Sequence, residues 1–378
     1  MTILKLENWL AKFMNSVGFF IGDFKRSGGT ERSCINVVNG LAEDENIEVF
    51  LLCTNKEQEK PFFNVSSKVQ IVYLNVQNFK LGLLKLYVNV YKAIKKYKIK
   101  NVVAVEVYSL LLLFPAFKIA ISFGLPVKFI VWEHFNFTVN LGRKLRDYLR
   151  KFAAKQVDAI VVLTKRDAEL WRSNVQVRGV LTSIPNPSPF LVTSKEYDAT
   201  AKTIIAIGRL TYQKGFDRLI TVWHKFKEGF DKSGNWRLQI IGGGSDKKML
   251  EEKVNQLDMN GSIEFIENTP LIREFYEKAA FLVMTSRFEG LPMTLIEAQA
   301  FGLPILAYDC LTGPAEVVTE NSGILVKDGD EEKFVLGLLK LTSDAALRVS
   351  MSNHSKQEIA RFSIKEVSAA WNQLLEKL

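Results

Sequence analysis

Two kinds of apolar run alternate along the chain. Short β-rich runs, such as Lys-Phe-Ile-Val-Trp at 128–132, recur between longer segments whose apolar residues return every three or four positions. The first kind suits strands buried on both faces of a parallel sheet, and the second suits amphipathic helices packed over it. Their alternation predicts βα units and an α/β fold class. Predicted strands are 17–21, 48–52, 70–74, 101–107, 128–132 and 159–163 in the first half, then 203–207, 237–241, 263–266, 281–285 and 305–308. Between the two sets, Pro185, Pro187 and Pro189 break any helix, and a polar stretch extends from there to Thr200. The chain therefore reads as two doubly wound domains, 1–185 and 186–361, with a final helical segment, 362–378. Open sheets of this kind bind ligands beyond the carboxyl ends of their strands, so the functional residues are expected in a cleft where the two domains face each other.

The 378-residue length supports two domains, and 47% hydrophobic with 24% charged residues describes an ordinary globular chain. Cys34, Cys53 and Cys310 form no CxxC or Cys/His cluster, and His134, His224 and His354 lie far apart. That argues against a disulfide framework, structural zinc or a histidine metal site, and favours a reducing cytoplasm. The most apolar stretch, 102–126, is interrupted by Glu106, Pro115 and Lys118, so a strand and helix explain it better than a membrane span. Residues 4–14 read as an amphipathic helix without a cleavage site, which disfavours a signal peptide.

Charge separates the halves. Residues 1–200 hold 28 Lys/Arg against 17 Asp/Glu, whereas 201–378 hold 22 against 24. Basic residues cluster at 92–100 and 143–155, interleaved with Leu, Tyr and Phe at helical spacing. The pattern fits either a solvated helix face or peripheral contact with an anionic membrane. No nucleic-acid-binding motif accompanies it.

Chemistry-bearing residues gather at strand ends. Glu289-Gly-Leu-Pro-Met-Thr-Leu-Ile-Glu297 comes after the strand 281–285. Pro292 suits the first turn of a helix, whose free amides at Met293, Thr294 and Leu295 would form an anion site. The two flanking carboxylates suit sugar hydroxyls. After the strand 203–207 come Gly208, Arg209 and Lys214, two cations able to neutralise a diphosphate. Gly242-Gly243-Gly244 comes after the strand 237–241 and admits close backbone approach. Each piece singly has an ordinary surface or turn explanation.

In this order, with Gly28-Gly29-Thr30-Glu31-Arg32 near the start, the pieces resemble the retaining GT-B glycosyltransferases of glycosyltransferase family 4, over nearly the whole chain. The resemblance implies a GT-B fold and transfer of a hexose or N-acetylhexosamine from a nucleotide diphosphate sugar, UDP-linked, to a glycan or lipid-linked acceptor. The setting it implies is bacterial surface polysaccharide assembly at the inner face of the cytoplasmic membrane. It assigns Glu289 to the donor sugar, Glu297 to the ribose, and Arg209 and Lys214 to the diphosphate. Gly28 and Gly29 would meet donor phosphates or acceptor, and His134, after the strand 128–132, would lie near the reacting centre. The Arg209–Lys214 pair, and the reading that no strand-end loop carries an Asp-x-Asp metal motif, lead to transfer being expected without a metal. Rival readings are a nucleotide-sugar epimerase or hydrolase on the same architecture, and a non-catalytic nucleotide-sugar-binding subunit.

Overall fold

A computed structural model describes residues 15–76, 79–231 and 235–378. The expected 4–14 helix lies outside the described residues. Among them, the first sheet contains β1 (Asn15–Gly22), β2 (Ile47–Cys53), β3 (Gln70–Tyr73), β4 (Asn101–Val105), β5 (Lys128–Trp132), β6 (Ala159–Val162) and β7 (Val180–Ser183). The second contains β8 (Thr203–Ile207), β9 (Arg237–Ile241), β10 (Ile263–Ile266), β11 (Phe281–Met284), β12 (Ile305–Asp309) and β13 (Gly323–Lys327). Their orders are β3-β2-β1-β4-β5-β6-β7 and β10-β9-β8-β11-β12-β13, and every pairing is parallel. These are two Rossmann-like α/β sheets.

β7 and β13 were not expected. Residues 180–183 (VLTS) are only half-buried along their whole length, so they lack the continuous apolar run that marks an inner strand. β13 is a short edge strand paired with β12, with half-buried Ile324 and Leu325 at its middle.

Contacts divide the chain into one unit of Met1–Pro189 with Ile364–Leu378, and another of Phe190–Ser363. The first joint falls four residues beyond the 185 read from the prolines, because the segment from Phe190 onward is tied to the second unit. The Thr193 amide donates to the Ala300 carbonyl at 2.8 Å, and Arg348 donates to the Ala199 carbonyl at 2.7 Å. The last helix, Ile364–Lys377, packs on the helix Gly29–Leu41. Gly40 is needed there, since a Cβ would come within 2.4 Å of Ile364. Trp371, fully buried, meets Phe19 of β1 and Trp132 of β5 edge-on at centroid distances of 5.3 and 5.1 Å.

In both sheets the strand order reverses once, between β1 and β4 and between β8 and β11. At such a reversal the flanking loops leave in opposite directions and open a crevice at the strands' carboxyl ends. The residues singled out from the sequence lie after these strands or their neighbours.

Candidate active site

The second unit assembles its site from the loops after β8 and β11. Gly215 holds a left-handed φ of 65°, and a Cβ there would lie 2.2 Å from the Thr285 carbonyl oxygen. The two loops therefore touch backbone to backbone. Thr285 Oγ1 donates to the Gly215 carbonyl, the Arg287 amide donates to the Gln213 carbonyl, and Gln213 Nε2 donates to the Phe288 carbonyl. Arg287 clamps Asp217 with two bonds of 2.8 and 2.6 Å and lies over the Tyr212 ring. This zipper brings Lys214 Nζ to 2.7 Å from Glu289 Oε1, both side chains largely buried. Residues 75 positions apart thus form one charged pair at the strand-order reversal.

Gly208 gives Lys214 room, since a Cβ at 208 would press 3.3 Å against the lysine stem. On the other side, Thr312 Oγ1 donates to the Glu289 carbonyl. Gly313 (φ 101°) lets its loop close over Pro292, where a Cβ would come within 2.6 Å. Arg209 is exposed, and its side chain makes no hydrogen bond or ion pair among the described residues.

Three expectations need correction. Pro292 is the residue before the helix Met293–Ala300, not its first turn, and the Leu295 amide donates to the Pro292 carbonyl at 3.1 Å. Met293 and Thr294 therefore supply the unbonded amides, with no side-chain cap competing for them. In the glycine triplet, Gly242 (φ 149°) and Gly244 are demanded by the protein itself. A Cβ would lie 1.9 Å from the Gly208 carbonyl oxygen at the first and 2.3 Å from that of Leu210 at the second. Gly243 alone has space, with Asn268 the nearest neighbour at 3.4 Å. Finally, Asp328-Gly329-Asp330 does come after a strand, the unexpected β13. Asp328 is held by Arg218 at 2.7 Å, while Asp330 caps the helix Glu331–Ser343 and pairs with Lys333. Both carboxylates are thus committed to protein partners.

Glu297 is buried and accepts a 2.7 Å hydrogen bond from the Tyr276 hydroxyl. That bond fixes the carboxylate's orientation.

In the first unit, the helix Gly29–Leu41 starts after β1 with Gly28 as its cap residue and no side-chain cap bond. The Glu31 carboxylate folds back to where a Gly28 Cβ would stand, 2.3 Å from that position, whereas the space at Gly29 is open. An anion there would meet Glu31, whereas a hydroxyl would find an acceptor. The geometry suits acceptor hydroxyls better than donor phosphates at this start.

Sequence pattern alone did not single out Glu106, which comes directly after β4. Its φ of 64° is left-handed, unusual for a residue with a Cβ. Thr30 Oγ1 donates to its carboxylate at 3.4 Å, and Arg146 approaches at 3.8 Å. Burial, with the negative Glu133 nearby, pushes this carboxyl up to about 7. The available signal was a lone charge ending an apolar run at a strand terminus. His134 after β5 is buried against Trp132 with Nε2 unpartnered among the described residues, and burial lowers its pKa to about 3, so the ring stays neutral near pH 7.

Beneath these groups lies an ionic core. Arg146 Nη1 donates to Glu133 Oε1 at 3.1 Å, and Arg150 donates to the carbonyls of Phe137 and Val139 at 2.6 and 2.9 Å. The basic run 143–155 is therefore not one surface patch, because its two central arginines point inward.

Because the folded protein holds the Glu106 proton up to about pH 7 and the unfolded chain releases it near pH 4.5, this group's favourable contribution is present at low pH and lost as pH rises through 7. The melting temperature of Glu106→Gln minus that of the native protein should climb between pH 5 and 7 and level off above. A flat difference would show that Glu106 titrates normally. Taking the difference removes the opposite slope contributed by His134.

Comparison with known proteins agrees with this architecture. A model described as glycosyltransferase family 4 matches residues 27–187, and one described as glycosyl transferases group 1 matches residues 191–358. An uncharacterised glycosyltransferase of Haemophilus influenzae is 32% identical over 96% of this chain and 100% of its own. The amylovoran biosynthesis glycosyltransferase AmsD of Erwinia amylovora is 30% identical, covering 94% and 98%. The lipopolysaccharide outer core galactosyltransferase WaaB superposes with a TM-score of 0.74 at 20% identity, covering 96% and 100% of the two chains. TarM does so with 0.77 at 13%, covering 96% and 99%. The chain belongs to glycosyltransferase family 4, with a group 1 glycosyl transferase domain as its second half, and is a glycosyltransferase of GT-B fold.

Proposed function

We propose that this enzyme moves a hexose or N-acetylhexosamine from UDP to a glycan or lipid-linked acceptor during bacterial surface polysaccharide assembly, with retention and without a metal ion. The observation that carries the reading is the Lys214–Glu289 pair beside the uncapped helix start at Met293 and Thr294. Breaking an anomeric carbon–oxygen bond to a diphosphate leaves negative charge on the leaving group. A fixed ammonium and two backbone amides can stabilise that charge without reorganising, and the exposed Arg209 guanidinium can swing in to add to them. Glu289 then orients the donor sugar, held by Lys214 and by Thr312 on its own carbonyl. Glu297, oriented by Tyr276, binds the ribose hydroxyls, and Gly208 and Gly243 leave room for the nucleotide. In the first unit Gly28, Gly29 and the neutral His134 serve the acceptor side.

Relatives support the class of substrate. A 26% identical Escherichia coli protein is a lipopolysaccharide 1,6-galactosyltransferase. A 24% identical Campylobacter jejuni protein acts on a diphosphoundecaprenol-linked glycan. The similarly folded HepE of Anabaena has been solved with UDP. Association with the inner membrane face fits a lipid-linked acceptor, and among the described residues no helix is long and apolar enough to cross a membrane.

A thermal-shift screen of nucleotides and nucleotide sugars tests the donor. UDP at a hundred times its Kd should stabilise the protein by about 2.7 kcal/mol, equally with and without EDTA. No response to any uridine nucleotide, or a response that requires added manganese, would refute the donor or the metal-free part respectively. An epimerase would convert the donor with no acceptor present, and a non-catalytic subunit would bind it without turnover.

A further inference from the structure

The helices Phe79–Tyr97 and Ser109–Ser122 contain no Asp or Glu, yet the first carries Lys80, Lys85, Lys92, Lys95 and Lys96. On the first helix, Leu84, Val88, Lys92 and Lys95 recur at intervals of four and three, so they form one stripe about 16 Å long. All four are exposed, Leu84 by 80%. Beside the stripe, Phe123 just beyond the second helix is 70% exposed, its ring 5.6 Å from that of Tyr91. Leu111, Ile119 and Ile121 of the second helix are exposed too. A groove of about 740 Å³ opens at the lysine end, lined by Lys92, Lys95 and Lys96 with Asn75 and Asn89. Lys92 and Lys95 have no carboxylate partner among the described residues.

An apolar ridge that continues into a carboxylate-free lysine groove matches one chemistry, a bilayer surface with anionic headgroups. The aliphatic side chains enter the acyl boundary, and the lysines meet phosphates. We infer that this face of the first unit docks on an anionic lipid membrane, with Lys92, Lys95 and Lys96 taking headgroup phosphates and Leu84, Val88 and Phe123 inserting. The inference gives a location to the membrane association proposed above. It replaces the 143–155 run, whose two central arginines, Arg146 and Arg150, are internal, as the contact.

The full chain should sediment with phosphatidylglycerol-containing vesicles and not with pure phosphatidylcholine vesicles, more weakly as salt rises, since exposed charges are screened beyond about 8 Å at physiological ionic strength. Lys92→Gln/Lys95→Gln/Lys96→Gln should weaken partitioning about a hundredfold, at about a factor of five per lysine. Leu84→Ser/Phe123→Ser should weaken it about tenfold through lost apolar insertion. All five positions are exposed, so melting temperature and UDP-induced stabilisation should match the native protein. The UDP readout separates failure of docking from failure of the glycosyltransferase reading.

Several results would overturn the docking face: native protein that ignores anionic vesicles, triple-variant binding equal to native, or loss only in Lys5→Glu/Lys12→Glu, which would move the contact to the N-terminal segment. So would competition by RNA together with undiminished binding of Leu84→Ser/Phe123→Ser, which would mark a purely electrostatic polyanion site.

Discussion

Lys214→Met and Glu289→Gln should each lower sugar transfer by about 10²- to 10³-fold, the usual cost of deleting one preorganised group at a developing charge. In the proposed reading Lys214 meets the leaving diphosphate, and Glu289, 2.7 Å from it, presents a carboxylate to the sugar. Because the two side chains contact each other, their losses should not multiply. The double variant should fall little below the worse single one, since groups acting as a unit are strongly non-additive. Single-turnover rates with a saturating donor would measure this. Fully additive losses would mean the pair does not operate together, and native activity in Glu289→Gln would remove the core of the assignment. Circular dichroism should be unchanged in both, because the loops are held mainly by backbone bonds around Gly215, Gln213 and Arg287.

The second large effect concerns stability. Arg150→Met should destabilise the first unit by about 3–5 kcal/mol, the cost of stripping one partner from a buried ion pair. Its guanidinium is fully buried, donates to the Phe137 and Val139 carbonyls and lies 3.5 Å from Glu133 Oε2. Removing it leaves Glu133 facing Arg146 alone and orphans two carbonyls. For a unit of this size that corresponds to a fall of roughly 6–20 °C in melting temperature, with Tyr148→Ala on the exposed face of the same helix as a control that should change little. A shift under about 2 °C would show that the network is solvated and dispensable. Glu133→Gln/Arg150→Met should be milder than Arg150→Met, since it also removes the charge left unpaired.

Much of the architecture was legible because it rests on local periodicity. Eleven of the thirteen strands coincide with β-rich runs bounded by turns, and a run such as 128–132 can satisfy its side chains only inside a sheet. The exceptions, β7 and β13, are edge strands with half-buried residues at their middles. Missing β13 also hid Asp328 and Asp330 as strand-end residues, and only their bonds to Arg218 and Lys333 show them to be committed. At the candidate site, Glu289, Lys214, Arg209 and Glu297 stood out only through their order along the chain, since each charge alone has an ordinary surface explanation. Glu106 escaped notice, since its character comes from desolvation and from Glu133, which lies on another strand's loop.

Local order along the chain was enough to establish two Rossmann-like halves and the family, since hydrophobic period and glycine or proline placement are properties of neighbouring residues. Folding alone decided which of those loops meet, through the Gly215–Thr285 contact that joins Lys214 to Glu289. It also decided which charges face inward, as with Arg146 and Arg150, and which amides stay unbonded at Met293 and Thr294. Pairing, burial and hydrogen bonding depend on distances between residues far apart in sequence, and a one-dimensional pattern carries no record of them.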